Sequence, residues 1–386
     1  MRVGVVAGEP SGDLLGAHLL GALRARRPQL EFAGVGGPRM QGEGLDSWYP
    51  MERLAVRGYA EVLRHYRSIM ALRRELAARL VRERPALFIG VDAPDFNLDL
   101  EFALKREGIP AVHYVSPSIW AWRGWRLRKI ARSVTHLLAL FPFEPPLYEK
   151  AGVPVTYVGH PLADVIPMEP DKDAARAQLR LPADRCIVAL LPGSRQSELH
   201  YMSDLFVLTA RRLATEIRNV HFVCPSASRA TRDQFQAALH RHDASGLELT
   251  LLFGHSHEAL AAADVALVAS GTATLEAALF KTPMVIAYRQ SPVTWAIMRR
   301  MLYLPYVGLP NILAGAALVP EFLQEKATGG ALCEALLALI NDASRRRAQV
   351  QKFREIHAVL RQDSANRAAR SGTAQAQAVL RRHRDG

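Results

Sequence analysis

Short apolar runs rich in β-branched residues alternate along the chain with longer stretches of helical periodicity. The first run covers residues 2–7, ends at the glycine-containing turn Gly8–Asp13, and is followed by a helical stretch at residues 14–26. An apolar run of this length before a glycine turn predicts a buried strand, and the stretch behind it predicts a helix. Because this unit recurs, the pattern predicts parallel sheets with helices on both faces.

Ten further runs predict strands. They cover residues 31–35, 87–91, 111–115, 137–141, 153–158, 186–191, 220–224, 248–253, 265–269 and 283–288. A polar, proline-containing linker at residues 167–172 separates two series of strands, so we expect two Rossmann-like domains, at residues 1–165 and 166–345, followed by C-terminal helices at residues 346–386. Ligands of such sheets bind at the carboxyl ends of the strands, which makes the turns behind the strands the candidate sites.

The composition excludes several classes of protein. The chain has 386 residues and is 49% hydrophobic, so it is neither disordered nor of low complexity. Its three cysteines, Cys186, Cys224 and Cys333, are far apart, which argues against a disulfide framework and favours a reducing cytosol. Glu9 and Asp13 interrupt the apolar N-terminus, and no run approaches the roughly 18 apolar residues of a membrane span. We expect a cytoplasmic protein that does not cross a membrane.

The formal net charge of +12 predicts an anionic partner, which is nucleic acid, a phosphorylated metabolite or an anionic lipid surface. Three segments hold more than this net charge: Arg64–Arg84, Trp122–Arg132 and Asn341–Gly386. The first is helical with an apolar excess, and the second overlaps the run of Trp and Arg at Ile119–Arg126. Both suit a membrane interface. The alternatives are a helix with a solvated Arg face for the first and a single-stranded nucleic-acid site for the second.

Two turns of the second predicted domain suit an anionic ligand. The turn Pro192–Arg195 follows a strand and opens a helix, so its amides and the Arg195 guanidinium could hold a phosphate. An ordinary turn with a surface Arg is an equal alternative. In Ser270–Glu276, Gly271 allows close backbone approach and Glu276 could accept hydrogen bonds from both hydroxyls of a ribose. The alternative for this second turn is a capping box that closes the helix.

Carboxylates follow two strands of the first predicted domain. The turn Gly8–Asp13 lacks the GxGxxG spacing, and Glu9 and Asp13 would repel a pyrophosphate, so a sugar or an acid/base task suits it better. Asp92 and Asp95 come directly after a strand, where a general base could reach an acceptor hydroxyl. The alternative is that one of the two caps the next helix.

Metal ligands are not indicated. The pairs His240/His242 and His255/His257 lie in polar stretches, and no carboxylate or Cys completes a recognisable ligand spacing. No Asp-X-Asp pair stands at a strand end. We therefore expect no metal site, with any diphosphate neutralised by amides and cationic side chains.

Eight strings, in this order along the chain, resemble the family of lipid A disaccharide synthases. They are Val6–Asp13, Gly37–Met40, Gly90–Asn97, Tyr114–Arg123, Gly159–Pro161, Leu191–Arg195, Ala269–Glu276 and Leu309–Gly315. The resemblance implies the α/β GT-B architecture, in which two Rossmann-like doubly wound parallel-sheet domains face each other across a cleft. It implies an N-terminal acceptor and membrane-facing domain, a C-terminal UDP-sugar donor domain, and last helices that cross back to the N-terminal domain.

The resemblance also implies an activity. An inverting glycosyltransferase that needs no metal or cofactor would condense UDP-2,3-diacylglucosamine with 2,3-diacylglucosamine 1-phosphate (lipid X). The products would be UDP and the β(1→6)-linked disaccharide 1-phosphate of lipid A biosynthesis. The implied partners are these two substrates and the anionic surface of the inner membrane, with no nucleic acid, and a homodimer is left open. The enzyme would lie in the cytoplasm, peripherally associated with the inner membrane.

Carried over position by position, the resemblance implies a set of site residues. The catalytic positions are Asp92 as the base, Glu9, and Asn311; the substrate and UDP positions are Ser11, Gly193, Ser194, Arg195, Gly271, Thr272 and Glu276. Pro10 stands where Ala is frequent in relatives, which removes an amide from the first turn.

Two other classes of function stay in view. A UDP-sugar 2-epimerase has a similar two-domain fold, but it does not need an apolar, Arg-rich face. A nucleic-acid binder would explain the charge alone and would bind with steep salt dependence, but it makes no use of paired turns at strand ends.

Overall fold

The computed structural model of the protein describes residues 1–54, 59–117, 119, 126–301 and 304–382. The chain divides into two compact units. The first unit comprises Met1–Asp164 together with Leu360–Gly386, and the second comprises Val165–Val359. Each unit is built on one parallel sheet, so the predicted α/β class is confirmed.

The first unit alternates strands and helices in the predicted way. Its strands are β1 (Arg2–Ala7), β2 (Glu31–Val35), β3 (Leu45–Ser47), β4 (Leu87–Val91), β5 (Ala111–Tyr114), β6 (His136–Ala139) and β7 (Val155–Tyr157). Its helices are α1 (Pro10–Arg26), α2 (Pro38–Gly42), α3 (Tyr59–Glu83), α4 (Pro94–Arg106), α5 (Leu127–Ser133), α6 (Pro145–Glu149), α7 (Pro161–Val165), which ends at the boundary, and α17 (Ser364–Arg382).

The order of the strands creates a switch point in this sheet. Within the described residues the order is β3-β2-β1-β4-β5-β6-β7, with every neighbouring pair parallel. The chain leaves β1 toward β2 on one side and later returns to place β4 on the other side. Ligands of open parallel sheets bind in the crevice at such a reversal of strand order. The crevice lies at the carboxyl ends of β1 and β4.

The buried residues of β1 show why both faces of the sheet are covered. Val3, Val5 and Ala7 pack into the core beside α1 and α17, while Val6 packs into the core beside α3 and α4. Alternate residues of a strand point to opposite faces. A continuous apolar run is therefore what a strand covered by helices on both sides requires.

Helix α3 contains most of the first basic segment, for which the sequence predicts a membrane interface. Leu72, Leu76 and Leu80 recur at every fourth position and are buried against the sheet. From residue 67 onward the apolar side therefore faces the core, in agreement with the alternative of a packed helix with a solvated Arg face. The side chains of residues 59–66 lie outside the described part of the chain, as do residues 120–125 of the Trp- and Arg-rich segment.

The chain returns to the first unit near its end. Asp164 accepts hydrogen bonds from the amides of Gln362, Asp363 and Ser364 at 3.0, 2.9 and 2.6 Å, and α17 packs along α1. The return lies at Leu360, whereas the sequence places the start of the C-terminal helices at residue 346.

The second unit repeats the architecture. Its strands are β8 (Cys186–Leu191), β9 (Val220–Ser226), β10 (Leu249–Phe253), β11 (Val265–Ala269), β12 (Met284–Tyr288) and β13 (Glu321–Leu323). Its helices are α8 (Lys172–Leu179), α9 (Gln196–Glu216), α10 (Arg229–Arg241), α11 (Ser256–Ala262), α12 (Thr272–Leu279), α13 (Pro292–Met301), α14 (Leu309–Ala314), α15 (Gly329–Asn341) and α16 (Ala343–Leu360).

Helix α16 belongs to the second unit because its contacts lie there. Gln349 Oε1 accepts a hydrogen bond of 3.0 Å from the amide of Met284 at the start of β12. His357 Nδ1 lies 2.5 Å from Nζ of Lys281, and both residues are buried. These contacts hold the helix to the second unit up to the boundary, beyond the predicted domain end at residue 345.

The second sheet also contains a switch point. Across the described residues its order is β10-β9-β8-β11-β12-β13, again with parallel pairs. The reversal lies between β8 and β11, where Leu191 pairs with Val268. The turns behind these two strands are the two turns that the sequence singles out for an anionic ligand.

No helix in the described ranges is long and apolar enough to span a bilayer.

Candidate functional site

The two turns at the switch point of the first unit are in contact. Ala7, the last residue of β1, pairs with Val91, the last residue of β4. A Cβ added to Gly8 would lie 3.3 Å from Cβ of Ala93, so the turn behind β1 packs against the turn behind β4. The structure thereby brings Glu9 and Ser11 to the same edge of the sheet as Asp92.

Asp92 lies in an unusual backbone conformation. Its φ is 52° and that of Ala93 is 45°, which are left-handed values that cost a residue with a Cβ roughly 1–2 kcal/mol. The Asp92 amide donates to the carbonyl of Tyr114 at 2.8 Å, and Nδ2 of Asn97 donates to the carbonyl of Asp92 at 2.8 Å. These contacts hold the turn, and the Asp92 side chain stays partly exposed. A strained position held in this way marks a candidate functional residue.

Asp92 is not the N-cap residue of α4. That position is held by Ala93, whose side chain makes no capping bond. Asp95 is exposed in the first turn of the helix and forms an ion pair with Arg126. The alternative that Asp92 serves as a helix cap is therefore wrong.

The polar residues of the turn behind β1 differ in burial and in their hydrogen bonds. Glu9 and Ser11 are exposed, and Glu9 makes no side-chain capping bond at the start of α1. Asp13 is buried, and its carboxylate accepts hydrogen bonds from the amides of Arg39 and Met40 at 3.1 and 3.0 Å. Asp13 thus caps the first turn of α2, which leaves Glu9 as the accessible carboxylate of this turn.

In the second unit, an internal carboxylate occupies the turn behind β8. Glu198 Oε2 accepts hydrogen bonds from the amides of Ser194 and Arg195 at 2.9 and 3.3 Å. Gly193 has a φ of +130°, and an added Cβ would lie 2.7 Å from Glu198 Oε2. Glu198 therefore holds the amides that the sequence assigns to a phosphate. Glu198 stands three residues after the N-cap Arg195, where the acidic partner of a capping box stands, and this spacing could have revealed it.

The Arg195 guanidinium is available to a ligand. Its side chain is 72% exposed and lies 3.9 Å from Oε1 of Glu198. An exposed pair at this distance contributes little to stability. The contact does not hold the cation in place.

The turn behind β11 is arranged differently. Gly271, the N-cap of α12, has a φ of +147°, and α12 begins without a side-chain capping bond. The alternative of a capping box is therefore wrong for this helix. Thr272 is exposed beside the uncapped amides, where the positive end of the helix dipole favours an anion.

Glu276 lies one turn further along α12 and pairs with a histidine. Its Oε2 lies 3.5 Å from Nε2 of His257. Hydrogen bonding to this carboxylate raises the pKa of His257. The described residues contain no group of three His, Cys, Asp or Glu side chains that could hold a metal ion.

Asn311 is placed differently from the other predicted site residues. It is 1% exposed, and its Nδ2 donates to the carbonyl of Val319 at 2.8 Å and to Glu321 Oε1 at 2.7 Å. Its Oδ1 accepts from the amide of Val319 at 2.7 Å. Asn311 therefore fastens the loop between α14 and β13. The segment that precedes α14 contacts the turn behind β11, because Ser270 Oγ donates to the carbonyl of Val307 at 3.3 Å.

A cavity of about 950 Å³ beside β13 is lined in part by Asn311 and Glu321, but by none of the residues in the turns behind β8 and β11. The candidate site therefore rests on the switch points and not on this cavity.

Comparison with known proteins gives the family. The family profile described as "Lipid-A-disaccharide synthetase" matches residues 3–375. The lipid-A-disaccharide synthase of Aromatoleum aromaticum is 57% identical over 95% of this chain and 94% of its own length. That of Methylobacillus flagellatus is 52% identical over 96% of this chain and 98% of its own length.

Solved structures share the fold at low sequence identity. A putative UDP-N-acetylglucosamine 2-epimerase from Listeria monocytogenes has a TM-score of 0.64 at 13% identity, covering 96% of this chain and 94% of its own. The UDP-GlcNAc 2-epimerase from Neisseria meningitidis, solved with UDP-GlcNAc, has a TM-score of 0.63 at 12% identity, covering 96% and 98%. These matches establish the GT-B-like fold.

Proposed function

Because the chain belongs to the lipid-A-disaccharide synthase family, we propose that it is an inverting glycosyltransferase that condenses UDP-2,3-diacylglucosamine with 2,3-diacylglucosamine 1-phosphate. The 6-hydroxyl oxygen of the acceptor attacks the anomeric carbon of the donor. A β(1→6) bond forms, the bond from the anomeric carbon to the diphosphate breaks, and UDP leaves with the bonding electrons. The hydroxyl proton passes to a base.

Asp92 is the base in this proposal. What supports this role is its position at the switch point of the first sheet, on a strained turn held by Asn97 and the Tyr114 carbonyl. Its carboxylate is partly exposed and has no capping task. A general base positioned on an acceptor hydroxyl contributes a factor of about 10² to 10⁴ to the rate. Glu9 and Ser11, exposed at the same edge, would contact the acceptor sugar.

The second unit would bind the donor at the switch point between β8 and β11. The uncapped amides of α12, with Gly271 and Thr272, would hold a phosphate, and Glu276 would accept hydrogen bonds from the ribose. Arg195 would approach the diphosphate and stabilise the charge that develops on UDP. The amides of Ser194 and Arg195 would become available to the diphosphate only when the Glu198 carboxylate moves away.

The single observation that carries the assignment is that each sheet presents its candidate side chains at its own topological switch point. The family membership then selects the chemistry among those that this fold supports.

We propose further that the protein associates with a membrane surface and forms a homodimer. An anionic inner-membrane surface would attract the basic segments named above and would present both lipid substrates to a cytoplasmic enzyme. Sedimentation with vesicles that contain or lack anionic lipid tests this point, and binding that depends on neither anionic lipid nor salt would contradict it. The homodimer is proposed on the family resemblance alone, and sedimentation velocity tests it.

The activity itself is tested by incubating the protein with both diacylated substrates and a metal chelator. We expect the disaccharide 1-phosphate and UDP in equal amounts by mass spectrometry. Epimerisation of UDP-N-acetylglucosamine without disaccharide would assign the chain to the alternative class. Asp92→Asn should abolish turnover while the dissociation constant for UDP stays nearly unchanged, and turnover near that of the unmodified protein would exclude the base role.

A further inference from the structure

Beneath the turn that carries Asp92, the first unit buries an acid and a base in direct contact. Glu101 of α4 and His113 of β5 have no exposed side-chain surface, and Glu101 Oε1 lies 2.6 Å from Nδ1 of His113. The proposed glycosyl transfer does not use this pair.

Space for the pair is made by a glycine two residues before Asp92. Gly90 pairs with His113 across β4 and β5. A Cβ added to Gly90 would lie 2.1 Å from Glu101 Oε1 and 3.0 Å from Cβ of Asn97. Any larger residue would expel the carboxylate. Gly90 thus couples the presence of the pair to the strand that ends directly before Asp92.

The helix that supplies Glu101 also holds the Asp92 turn. Asn97 lies one helical turn before Glu101 on the same face of α4. Besides its bond to the Asp92 carbonyl, Asn97 Nδ2 reaches the carbonyls of Val6 and Val91 at 3.3 and 3.4 Å. The anchoring of this helix face therefore fixes the ends of β1 and β4 together with Asp92.

The pair is costly to bury. Among the described residues, Glu101 Oε2 and His113 Nε2 have no hydrogen-bond partner. Buried ion pairs add little net stability, because desolvation offsets their attraction. A contribution to folding therefore does not account for the pair.

Two carboxylates act on the imidazole of His113. Burial opposes a charge on His113, but the Glu101 carboxylate from α4 and the Asp92 carboxylate from the turn behind β4 both raise the pKa of the imidazole. On the opposite side, β6 presents the apolar Leu137 as the strand neighbour. The Glu101 carboxylate therefore holds the imidazole in place from the α4 side.

We propose that Glu101 and His113 are positioning residues: their buried contact fixes the face of α4 from which Asn97 holds the Asp92 turn, and it so orients this base toward the acceptor hydroxyl. This inference rests on the proposed role of Asp92. The proton stays within the pair during turnover, and the proton of the acceptor hydroxyl goes to Asp92.

The test compares Glu101→Gln and His113→Gln with Glu107→Gln, which makes the same change on an exposed residue at the end of α4. Each variant of the pair removes one partner of the buried contact. We expect kcat to fall about tenfold or more with little change in KM, because the Asp92 turn would be presented less accurately to the acceptor hydroxyl. Glu107→Gln should match the unmodified enzyme.

A kcat that stays unchanged, or that falls only in proportion to the folded fraction while Tm falls, would mean that the pair only supports the fold, and it would overturn the proposal. The double variant Glu101→Leu/His113→Leu removes both buried charges at similar volume and should give the same fall in kcat if a single variant does not fold. Asp92→Asn distinguishes a failure of the base role of Asp92 from a failure of the positioning role of Glu101 and His113. If it stays active, the base role itself is wrong. If it is inactive while the Glu101 and His113 variants behave as the unmodified enzyme, only the present proposal fails.

Discussion

Replacing Asn311 by Ala separates two explanations of the same residue. The family resemblance places Asn311 among the catalytic positions, whereas its side chain is 1% exposed and bonded to Val319 and Glu321. The Ala variant loses two buried bonds to the Val319 backbone, worth about 1 kcal/mol each, and one to the Glu321 carboxylate, worth about 1.5–3 kcal/mol. We therefore expect the free energy of unfolding of the second unit to fall by about 4 kcal/mol.

At about 2–4 °C per kcal/mol for a unit of this size, the Tm should fall by roughly 8–16 °C. Scanning calorimetry with and without UDP identifies the relevant transition, because UDP stabilises the unit that binds it. Asn219→Ala is the matched control, since Asn219 is exposed and donates one bond of 2.9 Å to the carbonyl of Asp184; its effect should be at most about 1 kcal/mol. An unchanged Tm in Asn311→Ala together with lost turnover would refute the structural explanation and favour contact with substrate.

Three further substitutions test the anion turns and the buried cap. Arg195→Ala should lower kcat/KM by about 10²- to 10³-fold without a change in Tm, because the guanidinium is largely exposed; an unchanged kcat/KM would make Arg195 a surface residue. Glu198→Gln removes a negative charge from the amides of Ser194 and Arg195, so UDP should bind about two- to tenfold more tightly in calorimetric titration. Weaker binding there would mean that Glu198 shapes the turn for phosphate. Asp13→Ala should cost the first unit about 3 kcal/mol in chemical unfolding, because two amides of α2 lose a charged acceptor; a loss below about 1 kcal/mol would show that water replaces the cap.

The strands were predictable where burial on both faces produces a continuous apolar run. The eleven predicted runs all correspond to strands, with ends that differ by a few residues. The strands β3 and β13 were missed because each has three residues, one of them acidic, and therefore forms no apolar run; both lie at the edge of their sheets. An edge strand needs no such run, since one of its sides is left unpaired.

Among the candidate residues, position after a strand was visible in the sequence, but the hydrogen-bond partner was not. Asp13 and Glu9 look alike in the sequence, yet Asp13 caps a helix through amides 26 and 27 residues away, and Glu9 stays exposed. Asn311 stands in a family motif and proves to be buried. The pair of Glu101 and His113 had no signal beyond Gly90, whose missing side chain makes the room for it.

The parallel α/β class, the two-domain organisation and the turns that carry the polar residues can be inferred from the amino-acid sequence. These follow from local periodicity and from turn chemistry, which depend on neighbours along the chain. Which turns meet is known only from the folded chain, because the order of the strands depends on crossovers between distant segments. The tertiary structure places β4 beside β1 and β11 beside β8, which puts Asp92 next to Glu9 and the Arg195 turn next to the Gly271 turn. It also determines which carboxylates accept hydrogen bonds from backbone amides and which remain accessible to a substrate.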